Sequence, residues 1–101
     1  MIFIYSTAAN QEEADKLSKL ILENKLAACV NSWPIRSRYV WEGVLKDETE
    51  IVMIVKTSEE KFQEIEQLIV ENHSYDVPCI VAIDIKRMNP EFKQWVVSAL
   101  Q

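Results

Sequence analysis

Few side chains in this sequence could hold a metal or move a proton, and most of them gather in one stretch. The 101 residues include one histidine, two cysteines and a single glycine. Asn72-His73-Ser74-Tyr75-Asp76-Val77-Pro78-Cys79 contains the histidine and one of the cysteines. Imidazole and thiolate suit zinc or copper(I). Cys29, His73 and Cys79 are therefore the candidate metal ligands, for copper or zinc, with no metal required for folding. Each also has a plainer reading. His73 stands where a helix should end, and a histidine there can cap the last carbonyls. Cys29 and Cys79 can be small buried hydrophobes at strand starts. Tyr39, Trp41, Tyr75 and Trp95 could line a ligand cleft or pack at an interface, because a large ring with a polar handle suits both. Lys56 and Thr57 could hold an anion beside a helix start, or Thr57 could simply cap that helix. The tract Asp47-Glu48-Thr49-Glu50 reads as a solvated turn, since it lacks the alternating oxygen ligands of a calcium loop.

These residues need a scaffold, and the composition describes one. The length fits one domain spanning residues 1–101, with 49% hydrophobic residues for a core. A net charge of −5 argues against nucleic acid as a partner, which would need a basic face. No basic run suits an anionic membrane, and no apolar run is long enough to cross one. Met1-Ile2-Phe3-Ile4-Tyr5 is too short, and lacks the charged start, for a signal peptide. Two cysteines far apart in sequence, with no zinc or redox spacing, read as reduced thiols of a cytoplasmic protein.

Taken in order, Ile2 to Ser6 reads as a strand. Asn10 caps a helix with Glu13 three residues on, and Ala14, Leu17, Leu20 and Ile21 form its apolar stripe, ending near Asn24-Lys25. Ala27 to Val30 begins a second strand. Pro34 interrupts it over Asn31 to Ser37, and Arg38 to Glu42 resumes it. Leu45 to Thr49 supplies the turn and Glu50 to Lys56 the third strand. Thr57 or Ser58, with Glu60, makes a second capping box, and Phe62, Ile65, Leu68 and Ile69 line that helix as far as Asn72. Pro78 to Ile85 is the fourth strand. Asn89-Pro90 starts a last helix carrying Phe92, Trp95, Val96 and Ala99. The single glycine rules out a glycine-rich phosphate loop.

That order predicts an α+β fold: a ferredoxin-like βαββαβ antiparallel sheet with an extra C-terminal helix, and the strands in spatial order fourth, first, third, second. Ile51 to Val55 and Ile80 to Ile83 do not alternate, so both faces of the sheet want burial while the two main helices cover one. A bare face of roughly 300 Å² marks an interface between copies, unless the last helix folds back over it. In this topology Cys29 and Cys79 stand at opposite edges, about 20 Å apart. That excludes an internal disulfide, and leaves a shared metal site only between subunits.

Several segments also resemble one family. Lys25-Leu26-Ala27-Ala28-Cys29-Val30-Asn31 resembles the LAAC-N segment of the CutA proteins, the divalent-cation tolerance family. Ser37-Arg38-Tyr39-Val40-Trp41-Glu42-Gly43, Lys56-Thr57, His73 to Pro78, and Phe92 to Trp95 resemble further segments of it, in order along nearly the whole chain. The resemblance implies a ferredoxin-like subunit of a homotrimer that packs its sheets inward and its helices outward, as the PII signalling proteins do. It implies tolerance of copper and other divalent metals, with an adaptor role among animal relatives. Cys79 stands where the family usually has an acidic residue, and Ser6 and Leu68 lie near positions where other members carry cysteines. Only Cys29 matches a family cysteine.

No nucleophile–base pair stands out, so catalysis is not expected. Ser6-Thr7-Ala8-Ala9 has neither the glycines nor the arginine of an acylphosphatase loop, and an acidic sheet does not suit RNA. Two functions fit: a homotrimeric, metal-binding tolerance protein, or a PII-like trimeric scaffold taking a small ligand or partner protein in its inter-subunit clefts.

Overall fold

Alternation in the first strand, β1 (Ile2–Ala8), divides the sheet into two unlike faces. Ile2, Ile4 and Ala8 are buried in the core, whereas Phe3 and Tyr5 point the other way and keep part of their surface. The computed structural model describes residues 1–101. After β1 come α1 (Gln11–Glu23), β2 (Cys29–Trp41), β3 (Val44–Thr57), a 3₁₀ turn (Glu59–Lys61), α2 (Phe62–Asn72), β4 (Ile80–Asp84) and α3 (Pro90–Ala99). The strands are all antiparallel, in the order β2-β3-β1-β4. This is the ferredoxin-like α+β arrangement expected from the element order, with the additional C-terminal helix.

α1 starts as its sequence requires. The Asn10 side chain accepts a hydrogen bond from the Glu13 backbone N–H at 2.8 Å, and Ala14, Leu17 and Ile21 are buried. Its end is fastened without glycine. Lys25 takes the left-handed conformation at φ 55, with Leu26 N–H donating to Ile21 O and Lys25 N–H to Leu22 O, both at 3.0 Å. These two bonds are a Schellman motif, and Leu26 joins Ile21 in the core as the motif's hydrophobic contact. α2 buries Ile65 and Ile69 against the same sheet face, next to Ile2, Ile4 and Val55.

Three local expectations are corrected. β2 is not interrupted over Asn31 to Ser37. Pro34 keeps its place opposite Ile51, because β2 is an edge strand and one of its sides needs no donor. Leu45 to Thr49 is strand, and the reversal is made by Glu42 and Gly43, at φ 51 and 77, a pair that suits the twist of a two-residue hairpin turn. Thr57 does not cap α2. It ends β3, and its hydroxyl donates to the Leu26 carbonyl at 2.5 Å.

The β2–β3 hairpin outruns its neighbours. β1 accompanies β3 only from Ile51 to Thr57, while β2 stays paired with β3 as far as Trp41 and Val44. The outer part is a two-stranded arm whose tip exposes Val40 at 67% and Leu45 at 73%. The radius of gyration is 14.2 Å, against about 13 Å for a compact chain of this length.

On the face opposite α1 and α2, cover is partial. Phe3 and Lys56 are register partners there, and Lys56 Nζ lies 5.4 Å from the centre of the Phe3 ring and 5.3 Å from that of Phe92 on α3. The last helix therefore reaches one end of this face, with Val96 buried. Trp33, Val81 and Ile83 on the same face remain between 44% and 49% exposed.

A non-glycine residue in the left-handed region costs about 1 kcal/mol. Lys25→Gly should therefore raise stability by roughly 0.5–1 kcal/mol in urea unfolding with an unchanged slope.

Candidate functional site

Directly after α2 the chain bends over Ser74 to Val77, and His73 holds that turn. Its side chain is fully buried. Nε2 lies 2.7 Å from the carbonyl oxygen of Thr7 at the end of β1. A carbonyl only accepts, so Nε2 carries the hydrogen. Nδ1 is then free to accept the Tyr75 backbone N–H at 3.0 Å. Nδ1 also lies 3.0 Å from Glu13 Oε1. One ring nitrogen cannot accept from Tyr75 and donate to Glu13 at once, so in the neutral tautomer Glu13 is served by Ser74. The Ser74 hydroxyl donates to Oε2 at 2.6 Å and its N–H to Oε1 at 3.4 Å. His73 occupies the C-cap position of α2, yet its ring ties the turn to β1 rather than to helix carbonyls, and Ser74 ties the same turn to Glu13 of α1.

This tether swings Tyr75 onto the open face. The Tyr75 hydroxyl donates to Glu50 Oε2 at 2.7 Å. Glu50 is only 7% exposed. It sits opposite Ile35, where β3 leaves β1 to form the arm. Desolvation, then the hydrogen bond to Glu50, raise the Tyr75 phenol well above its ordinary value of 10.0. Tyr39, on the arm, donates to Glu48 Oε2 at 2.9 Å, and that hydrogen bond is the main reason its phenol is also raised. Thr7, Tyr39, Trp41, Glu50, Tyr75 and Cys79 are among the residues enclosing a cleft of about 440 Å³ between the arm and the turn.

The structure brings together Tyr39, Trp41, Tyr75 and Cys79 from the residues singled out in the sequence. Trp95 lies elsewhere, stacked on Phe92 with ring centres 5.8 Å apart. Lys56 is engaged by Phe3 and Phe92, and Thr57 is buried against Leu26, so neither lines the cleft. Glu50, Asp76 and Thr7 were missed as cleft residues. Glu50 had a signal in the sequence, an acid immediately before the apolar run Ile51 to Val55, but it read as the end of a solvated tract.

The metal donors do not converge within one chain. Cys29 is level with Lys56, Phe3 and Ile83 across the sheet, whereas Cys79 precedes Ile80, level with Ser6. Both thiols are free. Both nitrogens of His73 are engaged. Burial, and then the Glu50 carboxylate, push the Cys79 thiol up, which keeps it protonated near neutral pH. No group of three or more His, Cys, Asp or Glu side chains is placed to hold a metal ion. The residues of a single chain therefore do not fit a resident metal.

Fold and site together define a class: a ferredoxin-like domain with a long hairpin arm and a cleft at the arm's base. The family described as CutA1 divalent ion tolerance protein matches residues 2–99, and the chain belongs to this family. The divalent-cation tolerance protein CutA of Archaeoglobus fulgidus is 51% identical over 94 residues, covering 93% of this chain and 92% of that protein. That of Pyrococcus horikoshii is 37% identical over 97 residues, covering 96% and 95%. A solved structure described as the periplasmic divalent cation tolerance protein CutA from A. fulgidus superposes with a TM-score of 0.97, at 48% identity and covering 100% of both chains.

His73→Ala should lower stability by about 2–4 kcal/mol in urea unfolding, because it empties a buried site and orphans the Tyr75 N–H. The raised phenols carry a sign as well. Their hydrogen bonds contribute fully below the unfolded-state value of about 10 and are lost as pH rises through the higher folded values. Unfolding monitored against pH should show stability declining in the alkaline range above about pH 10, and less steeply in Tyr75→Phe.

Proposed function

We propose that this protein serves divalent-cation tolerance without catalysis, as a homotrimer built through the open sheet face and the hairpin arm. The observation that carries this reading is the surface left uncovered. The chain exposes 6582 Å² and buries 19 of its 101 residues, whereas a compact monomer of its mass would expose about 5,900 Å². The excess is apolar where it matters: Trp33, Val81 and Ile83 on the face, and Val40, Val44 and Leu45 on the arm. An isolated two-stranded ribbon is marginal in water, so the arm gains from a partner that covers it. The number of copies follows the family resemblance.

Metal ligation in such an assembly needs donors from more than one copy, because one chain offers no converging set. Cys29 is the donor for copper or zinc, a free, half-buried cysteine at the start of an edge strand. Two free cysteines support a reducing compartment, the cytoplasm, although the A. fulgidus relative is described as periplasmic. No helix is long and apolar enough to cross a membrane. A second reading, a PII-like scaffold that takes a small ligand or partner protein in its clefts, is favoured by the cleft around Glu50.

Light scattering should return three times the 11.7 kDa of one chain, and Trp33→Asp should shift that mass towards the monomer. Calorimetric titration with copper or zinc should saturate, with affinity at least about tenfold weaker in Cys29→Ser. A monomeric mass for the unaltered chain removes the assembly. A titration with no saturable site removes the metal.

A further inference from the structure

The cleft at the base of the arm holds negative charge that the chain leaves unanswered. Glu50 is more than nine-tenths buried, and Tyr75 serves only one of its carboxylate oxygens. No lysine, arginine or histidine of the chain forms an ion pair with it. No buried side-chain oxygen goes without a hydrogen-bond partner. The second oxygen, Oε1, accepts none from the chain and so keeps some accessible surface, and Glu50 lines the cleft. The lining adds Asp76 and contains no basic residue at all. Around these carboxylates stand three aromatic side chains, Tyr39, Trp41 and Tyr75.

Each feature selects for the same chemistry. Removing a carboxylate from water is costly unless a counter-charge meets it. Aromatic faces carry a negative quadrupole and attract cations, most strongly where water is excluded. A phosphate or carboxylate ligand would meet two like charges and no donor cation. A bare divalent ion would find too few converging donors. The volume, about 440 Å³, is that of a small-molecule site rather than of a coordination sphere.

We propose that this cleft binds a small organic cation, an ammonium or guanidinium ion, held against the Tyr39, Trp41 and Tyr75 rings with its charge on Glu50. The inference deepens the scaffold reading, since it rests on the cleft being a ligand site. Tyr75 positions the carboxylate by its hydrogen bond, and His73 positions Tyr75 by accepting its backbone N–H. The same chemistry could be supplied by a lysine or arginine of a second copy. A free cation is the source assigned here, because arm and turn of one chain already form the cleft.

The test is calorimetric titration of the full chain with tetramethylammonium chloride and with methylguanidinium chloride, alongside copper and zinc chlorides, with the assembled mass followed by light scattering. At least one organic cation should bind saturably. Glu50→Gln keeps an acceptor for Tyr75 but removes the charge, and should weaken binding at least about tenfold. Tyr39→Leu alters an exposed wall, leaves folding intact, and should weaken it about three- to tenfold. Saturable binding lost in these variants at unchanged mass establishes the site. Binding that survives both substitutions overturns it, as does failure of both organic cations to bind. In that second case, a changed mass in Glu50→Gln would assign the charge to subunit contacts, and Glu50-dependent copper or zinc binding would assign it to metal. The metal titration and the mass of the unaltered chain report on the tolerance reading separately.

Discussion

A four-stranded sheet with two apolar faces and enough helix for one of them is the constraint behind this structure. α1 and α2 bury Ile2, Ile4, Val55 and Met53 completely. Nothing comparable covers Trp33, Val81 and Ile83 on the other side. α3 reaches only the Phe3 and Lys56 end of that face, where a lysine held by two rings takes the place of a packed apolar layer. At 25 cal/mol per Å² or so, even a few hundred Å² of such surface is worth several kcal/mol to whatever covers it. The arm extends the same logic, since its Val40 and Leu45 have no core of their own to join.

The site depends on that half-covered sheet. Glu50 lies where β3 parts from β1, so it is walled by the arm on one side and by the turn after α2 on the other. The turn is held there by one buried histidine that bonds to β1 and to its own chain two residues on. A histidine that looked like a metal ligand is thus a structural tie, and both of its nitrogens are spent on it. The same tie delivers Tyr75 to Glu50. Rare residues cluster in this stretch because a tight junction needs specific polar contacts, and the chemistry of the cleft follows from where the junction leads.

Membership of the divalent ion tolerance family joins with the geometry at one point and separates from it at another. Family and fold agree over nearly the entire chain. The donor set does not: Cys29 stands at one sheet edge and Cys79 near the other, and the latter is kept protonated by burial and by Glu50. Two kinds of cation are therefore at issue. A metal would need thiols from several copies, while the cleft of one chain has the aromatic and carboxylate character suited to an organic cation.

The sequence by itself determined the element order, the strand order and the α+β class, because periodicity and caps are local. Asn10 with Glu13 and the stripe Ala14, Leu17, Ile21 needed nothing outside their own helix. The separation of Cys29 from Cys79 was legible too, since topology follows from element order. What sequence could not supply was anything that depended on which strand lay at an edge or which face was covered. Pro34 reads as a break, and becomes an ordinary strand residue only because β2 has one free side. Glu50 reads as solvated with its acidic neighbours, and becomes a buried carboxylate only because Tyr75 is brought over it from a quarter of the chain away. Local propensities are written residue by residue. Burial and charge pairing between distant segments are properties of the folded chain, and only the tertiary structure decides them.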